Sequence, residues 1–232
     1  MNSMLVSRLF KVSPNGPITS INGDLVHLRQ GELDGACGPY CVISALIAFG
    51  LMDRDDVVQN MHSWKGSSRK GRFRDALYAF GVLNSEGTDG GDLLWLTDYY
   101  KRMGLVGDHV EGSKSQVFEC VADAVELNKL PIVEVHWQGG GAHWLMVVGY
   151  QGEVGEDGIQ LTHLLCLDPG QEAPIASLWN AVLEIYTGEG ASVNRGPMSS
   201  NFWGMDGQLI KCQVKSTVIL SLPRQAQPTH QS

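Results

Sequence analysis

The run Cys37–Phe49, CGPYCVISALIAF, constrains the fold more than any other segment of this chain. It is apolar on nearly every side and stops at Gly50. Periodicity alone would allow a strand, but the length of the run and its small residues favour a helix. A helix with no polar face must be wrapped by the rest of the protein. Pro39 falls in the first turn, where its missing N–H is tolerated, and Gly50 suits the residue that closes a helix. With 232 residues the chain can build one sizeable core, or at most two small domains.

The sequence after this run divides in two. From Asp53 to Lys129 the segments DRDDVVQNMHSW, RFRDALYAFGVL, DLLWLTDYYKRMG and SQVFECVADAVELNK place apolar residues at helical spacing. Asp53, Asp92 and Ser115 are the expected caps, with loops at WKGSSRKG and NSEGTDGG. From Pro131 onward the pattern is strand-like: Pro131–Trp137, His143–Tyr150 and Leu161–Leu167, separated by glycine-rich turns. Gln208–Leu222 reads as one long strand or a hairpin, and short extended pieces are expected near Leu5–Val12 and Leu25–Arg29. Helices followed by an antiparallel sheet give an α+β fold, with the buried helix packed on the sheet.

Several function classes fall away on composition. A net charge of −8 argues against non-specific nucleic-acid binding, which depends on a basic face. No apolar run approaches the length of a membrane span, and the N-terminal MNSMLVSRLFKV lacks the pattern of a secretory signal. Five cysteines, at 37, 41, 120, 166 and 212, form no evident disulfide framework. Reduced thiols in the cytoplasm are the expectation, and a signal-less exported effector would look the same.

One of those thiols has the setting of a nucleophile. Cysteine attacks as thiolate, which a helix N-terminus and a nearby imidazole both stabilise. Cys37 opens the buried helix after the glycine-bearing loop GELDGA. His143 begins an apolar strand behind three glycines, and Asp168 follows the next strand, just before Pro169 and Gly170. Were those strands a hairpin, Asp168 would orient the His143 ring as a third triad member does. His136, on the neighbouring strand, is the rival histidine. Gln30, seven residues before Cys37, is placed to help the Cys37 amide hold an oxyanion. Cys41, Cys120, Cys166 and Cys212 read as small buried hydrophobes. A zinc site on Cys37, Cys41 and His143 is disfavoured, since neither a CxxC pair nor an HExxH helix is present.

Taken together, Gln30, CGPYC…ALIAFG, LPIVEVHW…GGAHWLMVVGY and LLCLDPG resemble the papain-like cysteine peptidase superfamily. The resemblance is nearest to the bacteriocin-leader-processing (double-glycine) branch and its stand-alone relatives, and covers roughly residues 30–50 and 130–170. It implies Cys37 as nucleophile, His143 as general base and acid, Asp168 as orienter and Gln30 as oxyanion donor. The implied organisation is one papain-like catalytic domain over residues 1–222, with a helical insertion at about 51–129 and a disordered tail at 223–232. A peptide or protein substrate is implied, and no cofactor. A glutamine deamidase or transglutaminase-type effector would use the same three residues. A non-catalytic papain-like binding domain would have no need of all three.

Overall fold

The structure, a computed structural model, describes residues 2–31, 36–79, 87–155, 158–185 and 200–223. The apolar run is a helix, α1 (Cys37–Ala48), and each residue from Gly38 to Ala48 is buried. It ends through Phe49 onto Gly50, whose φ of 67° is the left-handed conformation glycine adopts without strain.

Around α1 lie α2 (Arg54–Asn60), α3 (Arg69–Ala79) and α4 (Gly90–Asp98). A fifth helix, α5 (Lys114–Glu126), precedes the main strands. Both α4 and α5 start with a capping box, Asp89 with Asp92 and Ser113 with Gln116. The caps expected at Asp92 and Ser115 are therefore corrected: each helix begins two or three residues earlier, and Asp92 serves as the third helical residue of its box. Asp53 does stand at the start of α2, but its side chain makes no capping hydrogen bond.

The strands are β1 (Asn2–Val6), β2 (Phe10–Ser13), β3 (Gly16–Thr19), β4 (Val106–Glu111) and β5 (Leu130–Trp137). They continue with β6 (Ala142–Gly155), β7 (Gly158–Leu167), β8 (Ala181–Glu184), β9 (Ser200–Gly204) and β10 (Leu209–Ser221). All pairings are antiparallel. The order β6-β5-β10-β9-β8-β7 closes on itself, because β6 also pairs with β7. Closure removes the exposed edges of an open sheet. β1 adds to β6 and β4 adds to β10, while β2 and β3 form a separate hairpin.

The pleat makes one strand serve two cores. Trp144, Met146 and Val148 of β6 join Tyr40, Ile43, Leu46 and Ile47 of α1. The alternate residues Leu145 and Val147 face Val133, Leu164, Cys166, Leu183 and Cys212, together with Val117, Phe118 and Val121 of α5. Each fully buried side chain of this size contributes about 1.5–3 kcal/mol. Residue 143 thus sits where the helix core and the strand ring meet.

The α+β class stands, with differences in detail. The stretch 51–129 is not all helix, because β4 lies within it and pairs with β10. The extended piece over Leu5–Val12 is two strands parted by a turn, and Leu25–Arg29 forms only one isolated bridge, Leu25 to Ile18. β10 is one long strand with a register shift between Val214 and Ser216. The tail expected to be disordered lies outside the described residues from 224 onward. Among the described residues no helix is long and apolar enough to cross a membrane.

Candidate active site

The β6–β7 hairpin brings two of the expected residues together. Met146 lies opposite Leu167, so Asp168, just past the end of β7, comes alongside the start of β6. Asp168 Oδ1 accepts from His143 Nε2 at 2.6 Å and from the Gly170 amide at 2.6 Å. The following Pro-Gly turn has a steric reason to end in glycine. A Cβ on Gly170 would stand 3.1 Å from Asp168 Oδ1 and 3.6 Å from His143 Nε2. Trp137 stacks on the His143 ring, with centroids 5.9 Å apart and planes 28° from parallel.

With Nε2 taken by Asp168, the other ring nitrogen remains for Cys37, whose side chain is hydrogen-bonded to His143. The amide of Trp144 donates to Cys37 Sγ at 3.4 Å. α1 carries no side-chain cap and no acidic residue in its first turn. Its positive end is therefore left to the sulfur and to whatever binds beside it. Gly38 is confined as well. A Cβ there would press on Thr88 Oγ1 and lie 2.7 Å from Leu93 Cδ2 and 3.1 Å from Trp144 Cδ1. Trp144 is held in turn, its Nε1 donating to the Thr88 carbonyl at 2.8 Å.

The electrostatics follow from these contacts. Burial resists a charge on Cys37, yet the hydrogen bond and charge of His143, with the Trp144 and Gly38 amides, bring the thiol below its ordinary value. Burial likewise resists the imidazolium. Hydrogen bonds to Asp168 and Cys37, and their negative charges, outweigh it and raise His143 from 6.5 to about 10. Both shifts favour the thiolate–imidazolium form of the pair, the reactive form of a cysteine nucleophile.

The other thiols differ. Burial pushes Cys41 and Cys166 well above the ordinary value and Cys212 to about 12. Cys41 Sγ donates to the Trp144 carbonyl at 3.4 Å, and it packs in the core as expected. Cys120 is half-buried. Among the described residues, no three metal-ligating side chains gather into a possible metal site. The rival His136 pairs with Glu134 on its own strand at 2.8 Å. The pleat turns it to the face opposite His143, because the residue across from His143 is Val135.

Gln30 is brought to the site by its backbone. Its amide donates to the Pro169 carbonyl at 2.6 Å, and the next amide, of Gly31, donates to Tyr40 Oη in the first turn of α1 at 3.0 Å. Its side chain lines a cleft of about 560 Å³ with His27, Arg29, Arg54 and Glu172, and no hydrogen bond joins it to Cys37.

Two further residues hold Asp168 that the sequence reading did not single out. Asn180 Oδ1 accepts from the Asp168 amide at 2.6 Å, and its Nδ2 donates to the carbonyls of Asp168 and Glu172, each at 2.9 Å. His27 Nε2 lies 2.9 Å from the same Asp168 carbonyl, so this histidine is a buried partner of the site loop and not a surface or packing residue. Neither residue lies in a periodic element, and no local sequence signal marks them.

Fold and site together define an α+β protein with a Cys–His–Asp constellation at the start of a buried helix. No protein-family profile matches the sequence, and no curated protein matches it. Among solved structures the chain is similar to UfSP from C. elegans, with 13% identity and a TM-score of 0.42 over 91% of this chain. It covers 34% of that protein's chain, about a third of its length.

Proposed function

We propose that this chain is a papain-like cysteine peptidase that hydrolyses an amide bond of a peptide or protein through a thioester. The observation that carries the reading is the 2.6 Å hydrogen bond from His143 Nε2 to Asp168, which leaves the other face of the ring to Cys37. Residues 1–222 would form one catalytic domain. Of the papain-like branches, the leader-processing one is proposed on Cys37-Gly38, the strand led by His143 and Asp168-Pro169.

In this mechanism the Cys37 thiolate attacks the amide carbonyl carbon. The developing oxyanion is held by the Cys37 amide and the Gln30 side chain. As the C–N bond breaks, imidazolium His143 gives its proton to the leaving amine, and a thioester remains. The neutral imidazole, kept in one tautomer by Asp168, then takes a proton from water. Water adds to the thioester carbonyl, Cys37 leaves as thiolate, and the acid product departs.

Alkylation tests the reading. Iodoacetamide near neutral pH should label Cys37 well ahead of Cys120, and Cys37→Ala should abolish turnover of a peptide library while leaving the fold intact. Labelling of Cys37 no faster than of an ordinary exposed thiol, or activity that survives Cys37→Ala, would remove it. Mass spectrometry of the products divides the chemistry: fragments mark a peptidase, and a mass gain on an intact chain marks a deamidase.

A further inference from the structure

The acidic chain carries a concentrated basic cleft that adjoins the helix backing the site. Arg69 and Arg72 of α3, Arg102 in the 3-10 turn after α4, and Trp95, Asp98 and Tyr99 line a cavity of about 520 Å³. Three guanidinium groups thus face a single carboxylate, in a protein whose net charge is −8. The other cations of α3 are already neutralised, Lys70 by Asp56 and Arg74 by Asp75. Among the described residues no carboxylate pairs with Arg69, Arg72 or Arg102. Arg69 lies over the Tyr100 ring at 4.8 Å, and among the described residues its buried Nε meets no hydrogen-bond acceptor. Trp95 and Tyr99 meet edge to face at 5.3 Å and give the cleft an aromatic wall, while Trp95 stays 41% exposed.

Helix α4 ties this cleft to the site. Leu93 would meet any side chain at Gly38, next to Cys37. Asp98 and Tyr99 lie one to two turns further along, on another face of α4 and its continuation. The surface path, along the axis and around the helix, is about 15–20 Å. An extended peptide covers that distance in roughly five or six residues.

We infer that the cleft is an exosite for an acidic, aromatic-bearing segment of the protein substrate, several residues from the amide presented to Cys37. The inference rests on the peptidase reading, since the segment it binds belongs to that substrate. Guanidinium groups take carboxylates in paired hydrogen bonds, and the aromatic wall accepts an apolar ring beside them. Nucleic acid fits less well: a compact basic cleft on a net-negative protein lacks the extended positive track that a phosphate backbone follows.

The test measures binding to the full-length chain carrying Cys37→Ala, which cannot turn over. The probe is a short fluorescein-labelled peptide of glutamates around one tyrosine, followed by anisotropy. Controls are its glutamine analogue and a single-stranded oligothymidine. The glutamate peptide should bind with an affinity that falls as salt rises. It should lose roughly tenfold in affinity in the Arg72→Gln/Arg102→Gln protein, and the glutamine analogue a similar factor on the parent. The Arg72→Lys/Arg102→Lys variant, which keeps the charge and loses the paired hydrogen bonds, should bind with an affinity between those of the parent and the glutamine protein. Equal binding of the two peptides, no binding, or unchanged affinity in the glutamine variant overturns the exosite. So does an oligonucleotide that displaces the peptide and binds more tightly. Because the readout does not need the thiol, its failure leaves the chemistry at Cys37 standing, and failure of that chemistry leaves this readout intact.

Discussion

Replacing Asn180 by alanine should uncouple the site from its scaffold without touching Cys37 or His143. Asn180 is 3% exposed and spends its amide on the site loop. The substitution strands the Asp168 N–H, which loses its acceptor at 2.6 Å, and the Glu172 carbonyl, which loses its donor at 2.9 Å. The Asp168 carbonyl keeps His27 Nε2 at 2.9 Å. A buried group left unsatisfied costs about 1–3 kcal/mol, and the space vacated by the amide lets water recover part of that. A net loss of about 2–3 kcal/mol follows, or roughly 5–10 °C in Tm for a chain of this length. If Asp168 moves by about 1 Å, misorientation of the imidazole lowers turnover by roughly a hundredfold. Two assays check this: thermal unfolding by circular dichroism, and the pH dependence of Cys37 alkylation, which should shift toward that of an ordinary thiol as His143 loses its orienter. Asn180→Asp, which keeps an oxygen acceptor for the Asp168 amide, should lie between alanine and the parent in Tm. A Tm within about 1 °C of the parent and an unchanged alkylation profile would refute the reasoning.

Two other consequences are as direct. Gly38→Ala places a methyl against Thr88, Leu93 and Trp144, so it should destabilise the fold by about 1–3 kcal/mol through overpacking and slow Cys37 alkylation; calorimetry and labelling kinetics measure both. Stability against pH follows from the coupled pair. His143 is raised to about 10, so its contribution is complete below the unfolded value of 6.5 and is lost as pH rises through about 10. Cys37 is lowered, so its contribution is present above the unfolded value of 9.0 and is lost as pH falls through its folded value. The two slopes oppose each other from the folded Cys37 value up to 9.0, which leaves the pair's contribution flat there, and it declines between 9.0 and about 10. Denaturant titrations of the parent and of Cys37→Ala/His143→Gln should differ by that profile, and a difference that rises from pH 9.0 to 10 contradicts it.

The parts of the fold that were legible in the sequence are those with a local physical cause. The buried helix announced itself because its apolar residues leave no polar face, and the β6–β7 hairpin because turn residues separate two apolar runs. Asp168 was visible as the residue that ends a strand before Pro-Gly, and the strand pairing delivers it to His143. Gln30 was legible as a position near the site, through backbone bonds to Pro169 and from Gly31 to Tyr40, though its side chain has no bond to the sulfur. What stayed hidden depends on partners remote in sequence. β4 is a short strand next to glycines inside a helical stretch, and it exists because β10 lies beside it. β8 and β9 acquire their role by closing the strand ring between β7 and β10. Asn180 and His27 meet across 153 residues at the back of Asp168, and no spacing rule links them. The caps of α4 and α5 were misplaced because apolar periodicity marks where a helix is buried, while capping geometry marks where it begins.

The central claim is that Cys37 and His143 share a proton as thiolate and imidazolium. Its most direct test is the pH dependence of Cys37 thiolate formation, followed by ultraviolet absorbance and by iodoacetamide rate, in the parent and in His143→Gln. The expected result is a thiol that ionises below 9.0 in the parent and moves upward in His143→Gln, where burial is no longer outweighed. A Cys37 that ionises at or above 9.0 in the parent, or that ionises at the same pH in both proteins, would contradict it.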